Sequence, residues 1–281
     1  MKAFVITRLT FLEAIRKRIA LAAFILGVLF LLLYAIGFHF IHAEIMREHG
    51  PRTHEIIRNQ TFNFFTLAGL YAVNFLTIAM GVLISADTLA GEITSGTIQT
   101  IASKPMRRIE IVFGKWLGFM ALLALYLLLM AGGVLLIVHF VSGYHVKNIA
   151  SGISLIYLAS VVVMTVSLAC SSRFSTLATG GVVFGLYGIA FIGGWVEQIG
   201  SAMKNQTAVN VGIISSFIIP SEAVWRRAAY EMTSAIMRSL GIAAGPFGAL
   251  SVPNPLMMMY AALYVLMMLT IAIRQFNHRD L

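Results

Sequence analysis

Residues 16–41 read Arg16-Lys17-Arg18 followed by IALAAFILGVLFLLLYAIGFHFI, three cations and then 23 residues without a charge. The hydrocarbon core of a bilayer is ~30 Å thick, and ~20 apolar residues of α-helix cross it. The stretch therefore has the length of a membrane span and exceeds the ~7–15 apolar residues of a cleaved signal peptide. Its apolar residues are continuous rather than alternating, which points away from a barrel strand. Five further charge-free stretches follow at 62–86, 116–141, 149–172, 174–196 and 255–273. All 20 Lys and Arg and all 11 Asp and Glu lie outside the six. A charge at the centre of a span costs ~2.5–3.5 kcal/mol on insertion scales, so this placement is a physical constraint.

Composition agrees. Hydrophobic residues make up 59% of the 281 and charged residues 11%, against about 25% charged in a soluble chain. The mean hydropathy is +0.88, which also excludes disorder. The single cysteine, Cys170, leaves no intrachain disulfide to form. The expected fold is all-α: one polytopic membrane domain over 1–281 with six transmembrane helices. The +9 net charge is read as a topological signal and not as a nucleic-acid surface. Twelve cations fall on one side: Lys2, Arg8, Arg16, Lys17, Arg18, Lys104, Arg107, Arg108, Lys115, Arg173, Arg274 and Arg279. Eight fall on the other, diluted by six acids. The positive-inside rule then places both termini in the cytoplasm.

Between the spans, residues 1–18 read as an amphipathic interfacial helix, with Phe4, Leu12, Ile15 and Ile19 on one face and Val5, Leu9 and Phe11 at its edges. Residues 42–61 read as a polar outer loop turning at Gly50-Pro51. The segment 197–254 is the one large outer connection. Its apolar run 209–219 is too short to span and is expected to be re-entrant or interfacial. Pro220 ends the run, Ser221 is placed to cap a helix over 222–240, and Glu222 and Arg226 are placed as an i,i+4 pair on that helix's polar side.

The inner loop 87–115 is the most informative connection: DTLAGEITSGTIQTIASKPMRRIEIVFGK. Small residues surround Glu92, and Ser95 is placed to cap a short helix from Gly96 to Ala102, limited by Pro105. The pattern Glu92, Ser95-Gly96-Thr97, Lys104-Pro105, Arg107-Arg108 and Gly114-Lys115 resembles the signature of the ABC-2 family of ATP-binding-cassette transporter permeases. A second element, Pro220-Ser221-Glu222-Ala223-Val224-Trp225-Arg226, is similar to the motif that follows the fifth span in that family.

The resemblance implies a permease subunit that moves a substrate, in the export direction, across the cytoplasmic membrane. It implies two copies of a soluble ATPase, which bind the ATP and Mg, and a second permease, in a homodimer or pseudo-dimer. Residues from Glu92 to Ser103 are then the coupling helix, and Glu92, Ser95, Gly96, Thr97, Lys104, Pro105, Arg107, Arg108, Gly114 and Lys115 the ATPase-coupling set. No cofactor is expected on this chain. Gly114-Lys115 is followed by Trp116, and position 109 is Ile, so no P-loop forms there.

Other constellations are weaker. Gly181 and Gly185 form a small-xxx-small pair in the fifth span, a candidate for packing within the subunit or for a dimer or pathway face. Asn74, midway along the second span, faces either a polar pathway or a neighbouring helix. Six histidines, His39, His42, His49, His54, His139 and His145, gather on or near the outer side, but their spacing fits no ligand motif and no metal site is assigned. Catalytic residues are not expected: there is no His-Glu-x-x-His and no Gly-x-Ser-x-Gly, and both aspartates, Asp87 and Asp280, lie at membrane edges. The competing reading is a membrane assembly or anchoring factor without transport.

Overall fold

The computed structural model describes residues 2–16, 18–49, 55–94, 107–234, 238 and 247–277. Nine helices account for nearly all of them: α1 (Lys2–Arg16), α2 (Arg18–His49), α3 (Glu55–Thr94), α4 (Arg108–Ser142), α5 (Ile149–Ser171), α6 (Thr176–Ala202), α7 (Gln206–Ile218), α8 (Ser221–Met232) and α9 (Pro255–Asn277). Among the described residues there is no strand. Six helices, α2 to α6 and α9, are long and apolar enough to cross a membrane.

Helix α5 is the centre. Its residues from Val161 to Ala169 are buried on every side, as expected of a helix surrounded by others. It packs on α3, α4, α6, α8 and α9. Lipid tails are as apolar as leucine, so helix association rests on close packing and interhelical hydrogen bonds. Both are present. Trp116 Nε1 donates to Thr165 Oγ1 at 2.9 Å and Tyr157 donates to the Met120 carbonyl at 2.9 Å, joining α4 and α5. Ser167 donates to the Val82 carbonyl at 3.1 Å, joining α5 and α3. The turn between α4 and α5 is short. Gly143 ends α4 at φ 67, and its N–H donates to the His139 carbonyl at 2.9 Å. This left-handed position is one that glycine adopts without strain.

Helix α1 is held by small residues. Ile6, Thr10 and Ala14 are buried, whereas Phe4, Val5, Leu9, Leu12 and Ile15 are exposed. The buried stripe lies on α4 at Gly118, where an added Cβ would come within 2.9 Å of Thr10 Cβ and 3.0 Å of the Thr7 carbonyl. Most of the apolar face anticipated from the sequence is thus turned away from the protein, while Phe11 and Ile19 of that face pack against its core.

Several boundaries differ from the sequence reading. Most of 42–61 is helical rather than a loop, because α2 continues to His49 and α3 begins at Glu55; Gly50-Pro51 lie outside the described residues. Helix α3 also continues past 86 to Thr94, and α4 begins at Arg108 rather than at 116. Helices need not end where the hydrocarbon ends, since water satisfies the protruding turns. The helix placed over 222–240 ends at Met232, and its N-cap is Pro220, not Ser221.

Candidate functional site

Two regions bear on function, one at each end of the bundle. The first is the base of the inner loop. Glu92 sits in the last turn of α3. Residues 95–106 lie outside the described residues, and with them Ser95, Gly96, Thr97, Lys104, Pro105 and the expected helix from Gly96 to Ala102. The chain re-enters at Arg107, whose backbone N–H donates to Glu110 Oε2 at 3.1 Å and so fixes the start of α4. Arg108 then reaches the far end of α9, donating to the carbonyls of Phe276 at 3.4 Å and Asn277 at 3.0 Å. These carbonyls have no partner within their own helix, and a cation there also meets the negative end of the helix dipole. Ser172, at the end of α5, donates to Gln275 Oε1 at 2.7 Å. Gly114 and Lys115 are buried in the first turns of α4. The loop therefore leaves from a base that ties α4, α5 and α9 together, with α1 packed on α4.

The second region is the outer segment. Helices α7 and α8 are bent by 110° between spans five and six, the shape of a broken span or of a re-entrant loop. Such a bend frees backbone carbonyls, and at membrane depth each needs a donor. Two tyrosines of α9 supply them: Tyr260 donates to the Phe217 carbonyl at 2.6 Å and Tyr264 to the Ile218 carbonyl at 2.8 Å. Close approach to α6 comes from glycines. A Cβ on Gly212 would collide with Glu197, and one on Gly193 with Ser215.

Beneath the bend lies a buried polar cluster. Arg226 Nη2 donates to Glu197 Oε2 at 2.7 Å, and Nη1 lies 2.5 Å from Oε1. The two side chains are 2% and 4% exposed. Ser251 donates to Glu197 Oε1 at 2.7 Å, and the Leu250 N–H donates to Gln198 Oε1 at 3.2 Å. Glu222, also buried, accepts from Tyr71 at 3.1 Å and from Tyr187 at 3.3 Å. The Tyr71 ring packs tilted against Trp225, with ring centroids 4.9 Å apart, and against Phe247 at 5.6 Å.

This corrects the placement of Glu222 and Arg226 on a polar face. Both point inward, and Arg226 pairs with Glu197 of α6. The surface i,i+4 pair of α8 is Arg227–Glu231, at 2.7 Å. Glu197, Tyr71, Tyr187, Tyr260 and Tyr264 were not singled out from the sequence. A usable signal existed for one of them, because Glu197 directly ends an apolar span while Arg226 lies in a motif already recognised.

The remaining candidates separate. Asn74 is fully buried, and among the described residues its amide has no hydrogen-bond partner. Gly181 and Gly185, like Gly180 and Gly188, have nothing within 4 Å of an added Cβ. Among the described residues, nothing packs closely against that face of α6. Among the described histidines, His42 stacks on Phe62 with centroids 5.7 Å apart, and His139 lies 4.8 Å from His145. Among the described residues, no three His, Cys, Asp or Glu side chains gather in a metal-binding arrangement.

The comparisons with known proteins cover almost the whole chain. A family model described as "ABC-2 family transporter protein" matches residues 4–281. No curated protein matches the sequence.

Proposed function

Since the chain belongs to the ABC-2 transporter family, we propose that it is a permease subunit that exports a substrate using ATP hydrolysed by a separate ATPase. Family membership makes it a multi-pass membrane subunit of an ABC transporter without catalytic residues of its own. The finer assignment is two ATPase copies, each binding ATP and Mg and each seated against the segment from Glu92 to Ser103. The observation that carries it is the family match together with the position of that segment. It leaves α3 at Thr94 and returns at Arg107, on the base that joins α4, α5 and α9. Movement of the loop against an ATPase is then delivered to three spans at once. Affinity purification of the chain from its own membranes tests this: the partner ATPase is expected to co-purify, and its absence would favour an anchoring role.

The proposed orientation puts both termini in the cytoplasm and 197–254 outside, in the inner membrane. In a Cys170→Ala background, Lys204→Cys is expected to react with an impermeant thiol reagent in intact cells, and Ser95→Cys is not. Lys204 is exposed in the turn between α6 and α7, which suits it as a reporter. Labelling of Ser95→Cys alone would invert the topology.

A second permease copy is proposed to meet the first through α2 and α6. Leu21, Leu29, Leu33 and Ile36 of α2 are exposed, and the Gly181 face of α6 is open. Gly181→Leu and Gly185→Leu add bulk to open space, so they leave the subunit fold intact. Dimer recovery in mild detergent, measured by light scattering, is expected to fall several-fold. Unchanged recovery in both would remove α6 from the contact.

A further inference from the structure

A cavity of about 340 Å³ lies where α1, α2, α3 and α4 meet. Its walls include Ile15 of α1, Ala20 and Phe24 of α2, and Leu125, Tyr126 and Leu129 of α4. The size falls within the range of small-ligand pockets, about 300–1,000 Å³. The lining is apolar apart from the Tyr126 hydroxyl, which already donates to the Ala23 carbonyl at 3.1 Å. The occupant therefore has an apolar body. Phe24, Leu125 and Leu129 are exposed, so the cavity is entered from the side, from the bilayer.

The cause is local. Helices α2 and α4 touch at Gly27, where an added Cβ would lie 2.7 Å from Met130 Sδ. Nearer the start of α2 the cavity opens beside the Tyr126–Ala23 contact, with Ile15 of α1 in its wall. From Gly27 back to Arg18 is nine residues of helix, about 13 Å at ~1.5 Å per residue. That is nearly the depth of one leaflet, half of a ~30 Å core. Beside the lining residues Ile15 and Ala20 in the chain stand Arg16, which ends α1, and Arg18, which begins α2. Both are exposed, and among the described residues neither has an ion-pair partner.

We infer that this groove is a binding site for one anionic glycerophospholipid from the leaflet in which α1 lies, with an acyl chain in the cavity and its phosphate at Arg16 and Arg18. Charge complementarity selects the headgroup, since each cation near a membrane surface attracts acidic lipid. The groove selects a lipid over a free anion. A lipid held there bridges α1, α2 and α4, and so braces the interfacial helix against the helix that starts the inner loop's return.

The test is native mass spectrometry of the full-length chain in detergent with equimolar dioleoylphosphatidylglycerol and dioleoylphosphatidylcholine. One retained phosphatidylglycerol per chain is expected, preferred roughly thirtyfold, the effect of two cations near the surface. The Arg16→Gln/Arg18→Gln variant should bring that preference close to one, and both positions are exposed, so folding is not at risk. Leu125→Trp, which fills the groove from its exposed wall, should reduce retention of both lipids. Equal retention of the two lipids by the unmodified chain, or a preference that survives the double arginine variant, would overturn the site. So would full retention in Leu125→Trp.

Discussion

Replacing Arg226 with Ala is expected to be among the most destabilising single substitutions in the chain. It leaves the Glu197 carboxylate buried beside α7, with Ser251 as its remaining side-chain donor among the described residues. Removing one member of a buried pair costs about 3–5 kcal/mol, because the other charge has lost its compensation. The pair itself need not be stabilising relative to apolar residues of similar volume, since both charges were desolvated to form it. The double variant Glu197→Leu/Arg226→Met is therefore expected to recover most of the loss. A fluorescence-detected thermal melt in detergent reads both. If Arg226→Ala melts with the unmodified protein, the cluster does not hold the bent pair in place.

The second large effect is expected at the inner loop. Glu92→Arg reverses the one acid between Asp87 and Glu110, and Ser95→Trp adds bulk where small residues let a partner approach. Neither position is within the apolar part of a span, so membrane levels should stay normal. Truncations and clashes at the centre of an interface commonly cost about 2 kcal/mol or more, equivalent to roughly thirtyfold in affinity. Recovery of the ATPase with the tagged permease is expected to fall by about that factor for Ser95→Trp. Normal recovery at normal expression would remove residues 87–105 from the contact.

The spans were legible because the cost of a charge in hydrocarbon is large and local. Each charge-free stretch became one long helix, and the short run at 209–219 became half of a pair bent by 110°. The ends were less legible. Hydropathy marks where lipid stops, while α3 continues through Glu55–Thr61 and again through Asp87–Thr94 because a helix extends readily into water.

The outer cluster was misplaced for a different reason. Arg226 has a carboxylate one turn away at Glu222, and spacing alone favours that local partner. Its partner in the fold is Glu197, 29 residues away, and Tyr71 reaches Glu222 across 151. No periodicity encodes such contacts. Burial logic also inverts in lipid: Phe4, Val5, Leu9, Leu12 and Ile15 of α1 face outward, while Thr10 and Ala14 face protein together with Ile6. That rule, applied to the sequence, would have found the packed stripe. The open glycines of α6, with nothing near an added Cβ, are the feature on which the proposed contact with a second copy rests.

The most direct test of the account is ATP hydrolysis by the complex purified through this chain. The unmodified permease should bring down hydrolysis well above a mock purification, and Ser95→Trp, at equal permease levels, should lose most of it. Hydrolysis no greater than the mock, or undiminished in Ser95→Trp, would contradict a permease driven through its inner loop by a separate ATPase.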